Sequence, residues 1–203
     1  MISVPSAAST KPFGWPSASQ LAGPALLSAL ALLCWLLPSL YEPLIWSRAQ
    51  IGEGQWWRLW SGHLLHSNTA HLLMNLGGLW LIFALHQPHY RWRTMALLSI
   101  AMMAMIGVSL YEWVPQTQRY VGLSALLHGL FTWGAVQDIR RGWRAGYALL
   151  IGVFAKVGWE LYHGGSADVA ALIDARVAVE SHALGVASGL ICALVMWLYQ
   201  RSR

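Results

Sequence analysis

Val121-Gly122-Leu123-Ser124-Ala125-Leu126-Leu127-His128-Gly129 is the stretch on which the fold turns. It is apolar enough to lie in hydrocarbon, yet it carries a serine and a histidine four residues apart. Polar side chains inside a membrane are costly and collect where there is function. Ser124 therefore reads as a candidate nucleophile, and the neighbouring segments as the means of bringing His182, His71 and Asn75 to it.

The totals set the solvent. The chain has 203 residues, of which 57% are hydrophobic and 10% charged. Soluble globular domains carry about 25% charged residues, so the composition is that of an integral membrane protein in contact with the lipid bilayer. The formal charge of +5 would suit nucleic acid, but the basic residues are scattered through short connections between apolar runs. That pattern orients a membrane protein and implies no nucleic-acid partner. Cys34 and Cys192 sit within apolar runs and read as small core residues.

Outward from the central stretch, the chain divides into a short disordered tail, residues 1–20, and one domain, residues 21–200. Six apolar runs are expected to be helices: residues 21–37, 63–85, 95–113, 120–136, 143–162 and 177–199. Each is near the roughly 20 residues that cross a bilayer. Residues 39–62 are different. Glu42, Arg48, Glu53 and Arg58 alternate there with Trp46, Trp56, Trp57 and Trp60, which suits a partly helical element in the headgroup layer. Residues 163–176 read as a loop containing Gly and Asp. Most arginines fall on one side of this arrangement: Arg91 and Arg93, then Arg140, Arg141 and Arg144, then Arg201 and Arg203. The positive-inside rule puts that side, and both termini, in the cytoplasm.

With this topology the unusual polar residues share a depth. Ser124 follows Tyr120 by four residues, roughly 6 Å below the expected start of the fourth span. His182 lies at a similar depth in the sixth. His71 and Asn75, spaced i, i+4, share one face in the outer half of the second. A histidine can take the proton of a serine hydroxyl, and acyl transfer needs donors aimed at an oxyanion. His71, Asn75 and the Ser124 backbone N–H are the candidates for that task. No aspartate is placed to orient His182, and Glu180, two residues away, points elsewhere, so a Ser–His dyad is the simpler expectation. Gly185 and Gly189 lie on the side of the sixth helix that carries His182. With Gly122 and Gly129 as a smooth surface on the fourth, they would let two backbones approach closely. His63, His66 and His71 do not share a helical face and bring no cysteine or carboxylate, so neither a metal nor any other cofactor is expected. Lys156 and Glu160 form an i, i+4 pair on the fifth span, read equally as an internal ion pair or as part of a gate.

At these residues the chain resembles the rhomboid intramembrane serine proteases. The matching features are Trp57-Arg58 in the first loop, His66 with His71-Leu-Leu-Met-Asn75, Gly122-Leu-Ser124, and His182-Ala-Leu-Gly185-Val-Ala-Ser-Gly189. The resemblance implies an all-α, six-transmembrane-helix rhomboid-like bundle and a serine endopeptidase. In it Ser124 and His182 would be catalytic, with His71 and Asn75 at the oxyanion. Ala125 stands where rhomboids usually have glycine. His128 stands where an aromatic often packs on the catalytic histidine, a place it could fill by stacking. The Ser-x-x-x-His-Gly pattern and the compact core look most like the rhombosortase branch. That likeness implies substrates with a C-terminal Gly-Gly, a hydrophobic helix and a basic tail, processed at the periplasmic side of a bacterial inner membrane. A catalytically inactive rhomboid-like protein that escorts client helices is the competing expectation.

Overall fold

The computed structural model describes residues 14–202. Most of the tail expected over residues 1–20 lies outside the described residues, and its end is already helical, since α1 runs from Ala18 to Leu36. Ser17 caps this helix by accepting from the Gln20 N–H, while the Gln20 side chain accepts from the Ser17 N–H. That reciprocal pair satisfies two donors that a helix start leaves open.

Five further long helices follow: α5 (Thr69–His86), α6 (Trp92–Trp113), α7 (Ser124–Arg140), α8 (Ala145–His163) and α10 (Val179–Arg201). By length and composition, α1, α5, α6 and α10 can each cross a membrane, and the protein is a multi-pass membrane protein. Helix α7 differs for a physical reason. Eleven of its 17 residues are buried, so its neighbours screen it from lipid and it tolerates Thr132, Gln137 and Asp138. Helix α8 is the peripheral one, with Tyr147, Ile151, Phe154 and Trp159 exposed.

The segment between α1 and α5 holds three short helices, α2 (Tyr41–Leu44), α3 (Arg48–Gly52) and α4 (Arg58–Ser61). The expected partly helical element is there, with Trp56 and Trp57 half exposed. Trp46 departs from the expectation. It is fully buried, and its indole N–H donates to the Gly107 carbonyl at 3.2 Å. Its backbone belongs to β1 (Trp46–Ser47), paired antiparallel with β2 (Arg119–Tyr120). Buried Arg58 ties the segment together by donating to the carbonyls of Glu42 and Ile45. Arg48 donates to the carbonyls of Leu110, Tyr111, Val114 and Thr117, which satisfies the open end of α6.

Three other expectations change. Residues 163–176 are not a plain loop, because α9 (Ala167–Ile173) forms there with Ser166 as its cap. This short helix docks on the start of α5, where Ser67 Oγ donates to the Ile173 carbonyl and Asn68 Nδ2 to that of Leu172. The fourth helix begins at Ser124 rather than Tyr120, which moves Ser124 from within the helix to its first residue. Asp138, which falls between the fourth and fifth expected runs, is instead buried in the last turns of α7, between His86 Nδ1 at 2.8 Å and His89 Nε2 at 2.7 Å.

Candidate active site

Gly122 determines how α7 starts. Its φ is +119°, a backbone geometry that side chains strongly disfavour, so the chain turns sharply between β2 and the helix. A Cβ at this position would lie 2.7 Å from His71 Nε2. Gly122 was expected to help smooth the face of the fourth helix toward the sixth. It faces α5 instead, because it lies in the turn before the helix. Its N–H donates to the Gly62 carbonyl, and its own carbonyl accepts from the Tyr120 hydroxyl.

The α7–α10 contact is made by the other three glycines. A Cβ on Gly185 would overlap the Ala125 carbonyl, one on Gly189 the Gly129 carbonyl, and one on Gly129 would come within 2.9 Å of the Gly185 carbonyl. Backbone therefore rests on backbone, the close approach that small residues permit between membrane helices. That approach brings His182 Nε2 to 3.1 Å from Ser124 Oγ.

As the first residue of α7, Ser124 has a backbone N–H with no intrahelical acceptor, and the helix start favours a developing negative charge. Asn75 is buried, and its Nδ2 has no hydrogen-bond partner among the described residues. It lies 3.6 Å from where a Gly122 Cβ would be, beside the turn into Ser124. His71 is also buried, with Nε2 toward Gly122 and Nδ1 3.0 Å from Ser67 Oγ. Ser124, His182, His71 and Asn75 all line the same cavity. His63 and His66 are both buried, His63 edge-on to Tyr120 and His66 edge-on to His71.

Sequence reasoning missed one arrangement. His182 Nδ1 lies 2.9 Å from Glu160 Oε2, on α8. Lys156 donates to the same carboxylate at 2.8 Å, as its i, i+4 spacing suggested, and its Nζ is also 2.7 Å from His128 Nε2. His128 Nδ1 is 2.7 Å from the Ser124 carbonyl, and its ring stacks on His182 with centroids 4.2 Å apart and planes 18° apart. The stacking is the arrangement foreseen for His128. Two tautomers follow from chemistry alone. A carbonyl and a carboxylate only accept, so His128 and His182 both carry hydrogen on Nδ1. The His182 Nε2 lone pair is then free to face Ser124.

His128, Glu160 and His182 hold ligand atoms within 4.8 Å of one another, a spacing suited to a metal ion. The Lys156 ammonium already lies among them, 3.4 Å from His182 Nδ1, so a cationic group of the chain itself takes that place.

These groups line a cavity of about 620 Å³. Ser124, His182, His71 and Asn75 border it, together with residues 116–121 and with Ser166, Val169 and Ile173 of the α9 segment. A hydroxyl, an imidazole lone pair, an unpaired amide donor and a helix start all border it, groups that acyl transfer can use.

No curated protein matches the chain. The Rhomboid domain family model matches residues 53–199, from the tryptophan-rich segment to the end of α10. Covering most of the chain and every helix that lines the cavity, the match shows that the protein belongs to the rhomboid family, whose members are in general intramembrane serine proteases.

Proposed function

We propose that this protein is an intramembrane serine endopeptidase in which Ser124 is the nucleophile and His182 the general base. The observation that carries this reading is the 3.1 Å contact between Ser124 Oγ and His182 Nε2 inside a cavity lined by polar donors. Ser124 Oγ attacks the scissile carbonyl carbon while its proton passes to His182 Nε2. The tetrahedral oxyanion is held by Asn75 Nδ2 and the Ser124 N–H, with the His71 ring beside them. When the C–N bond breaks, His182 returns the proton to the departing amine. Water then attacks the acyl ester, giving its proton to His182 and restoring the Ser124 hydroxyl.

All six long helices cross the membrane in this reading. Arg140 and Arg141 at the end of α7 and Arg201 at the end of α10, remote from Ser124 and His182, favour cytoplasmic termini and a site opening toward the periplasm. The rhombosortase likeness further suggests substrates with a C-terminal Gly-Gly, a hydrophobic helix and a basic tail in a bacterial inner membrane.

The test is cleavage, in a co-expressing host, of such a reporter and of one lacking Gly-Gly, by wild type, Ser124→Ala and His182→Ala. Cleavage of the Gly-Gly reporter alone, lost in both variants, is the expected result. Cleavage of both reporters would retain the protease and remove the sorting specificity. Failure to cut either, with no fluorophosphonate labelling of Ser124, would leave a client-binding rhomboid-like protein as the better reading.

A further inference from the structure

We infer that Glu160 is the positioning residue for His182, so that the serine-protease site proposed above works as a Ser124–His182–Glu160 relay rather than as a dyad. The two ring nitrogens of His182 are engaged from opposite sides, Nε2 by Ser124 Oγ at 3.1 Å and Nδ1 by Glu160 Oε2 at 2.9 Å. A carboxylate only accepts, so its contact holds hydrogen on Nδ1 and keeps the Nε2 lone pair on the serine. When Nε2 takes the Ser124 proton, the imidazolium forms beside a fixed negative charge.

Burial separates this arrangement from a bare Lys156–Glu160 ion pair. The Glu160 side chain is 14% exposed and that of Lys156 is 46%. An i, i+4 pair serving only itself on peripheral α8 could keep both ends at the surface. Here the carboxylate turns inward, away from the exposed Trp159, Leu161 and Tyr162 around it. Such a group is costly to bury unless it is bonded. One oxygen, Oε2, takes both Lys156 and His182.

Lys156 and His128 complete the arrangement. Since His128 gives its Nδ1 hydrogen to the Ser124 carbonyl, its Nε2 accepts from Lys156. A closed ring results: Ser124 to His182 to Glu160 to Lys156 to His128 and back to Ser124, drawn from α7, α8 and α10. His182 is thereby fixed at both nitrogens and along one face, where His128 stacks.

The experiment uses the full chain in detergent and lipid, comparing wild type, Ser124→Ala, His182→Ala, Glu160→Gln and Glu160→Asp. Fluorophosphonate labelling rate, reporter kcat and KM, and thermal unfolding are measured on each. In unrelated serine proteases, replacing the orienting carboxylate by its amide lowers kcat by about 10⁴-fold. Glu160→Gln is expected to lower labelling rate and kcat by at least about 10²-fold with KM little changed. Glu160→Asp, which keeps the charge but is one methylene shorter, is expected to retain more rate than the amide. A packing role predicts the reverse order, because glutamine fills the same volume. Glu160→Gln within about threefold of wild type, or Glu160→Asp the slower of the two, would overturn the assignment. If wild type itself neither labels nor cleaves, the protease reading falls first and the relay with it.

Discussion

Gly185→Ala tests whether the α7–α10 contact sets the reacting geometry. The added methyl would overlap the Ala125 carbonyl and stand 3.2 Å from His128 Cβ. Carbon-to-carbonyl-oxygen contacts settle near about 3.3 Å, and backbone cannot rotate aside as a side chain can, so the helices must part by roughly 1 Å. Gly185 lies three residues after His182 on the same helix, and Ala125 directly follows Ser124. The separation therefore falls almost wholly on the 3.1 Å Ser124–His182 contact and opens it beyond hydrogen-bond length. A misplacement of about 1 Å costs on the order of 10²-fold in rate, and overpacking of this kind destabilises by about 1–3 kcal/mol. Fluorophosphonate labelling and thermal unfolding in the same detergent measure the two effects. Gly152→Ala on α8, where nothing lies within 4 Å of the added carbon, is the control and is expected to match wild type. Wild-type labelling by a folded Gly185→Ala protein would show that the glycine contact does not set the distance, and the reasoning would fail.

Asn75→Ala removes the unpaired donor beside Gly122, and kcat is expected to fall by about 10²–10³-fold with thermal stability nearly unchanged; a loss of substrate binding alone would argue against an oxyanion role. Gly122→Ala forces a side chain into a φ of +119° and against His71, so both stability and labelling should drop, and a fully active, stable variant would contradict the turn described here. Arg48→Ala frees four carbonyls at and just beyond the end of α6, with an expected loss of about 2–3 kcal/mol by thermal unfolding. Arg48→Lys should recover only part of it, because a single ammonium cannot span the set. Asp138→Ala leaves buried His86 without its Nδ1 partner, costing about 1–3 kcal/mol. Since Asp138 is about 21 Å along α7 from Ser124, labelling of the folded variant should be unaltered.

The residues divide according to the range of the forces that place them. The apolar runs, the scarcity of charge and the mixture of tryptophan with charge made a helical membrane protein legible, because partition into lipid depends on composition over a local window. The pairs His71 with Asn75, Ser124 with His128, and Lys156 with Glu160 were legible for a related reason, since helical period is a property of one segment. The glycines announced close packing between the fourth and sixth helices, and Gly129, Gly185 and Gly189 make it. By itself, then, the sequence determined the solvent, the order of the helices and which side chains share a face.

Tertiary structure decided the rest. Glu160 lies 22 residues from His182 in the chain, on a different helix, and no periodicity connects them; only the packing of α8 against α7 and α10 sets that 2.9 Å contact. The same holds for Asp138 between two histidines of another segment, and for Trp46, buried by its strand pairing with Tyr120. The start of α7 at Ser124 is a backbone event, in which the positive φ of Gly122 and its bond to the Gly62 carbonyl end one conformation and begin another. Hydropathy does not register such a turn, because every residue around it is apolar. Local chemistry names the groups that can act, while the hydrogen bonds that orient them form between segments that meet only in the folded chain.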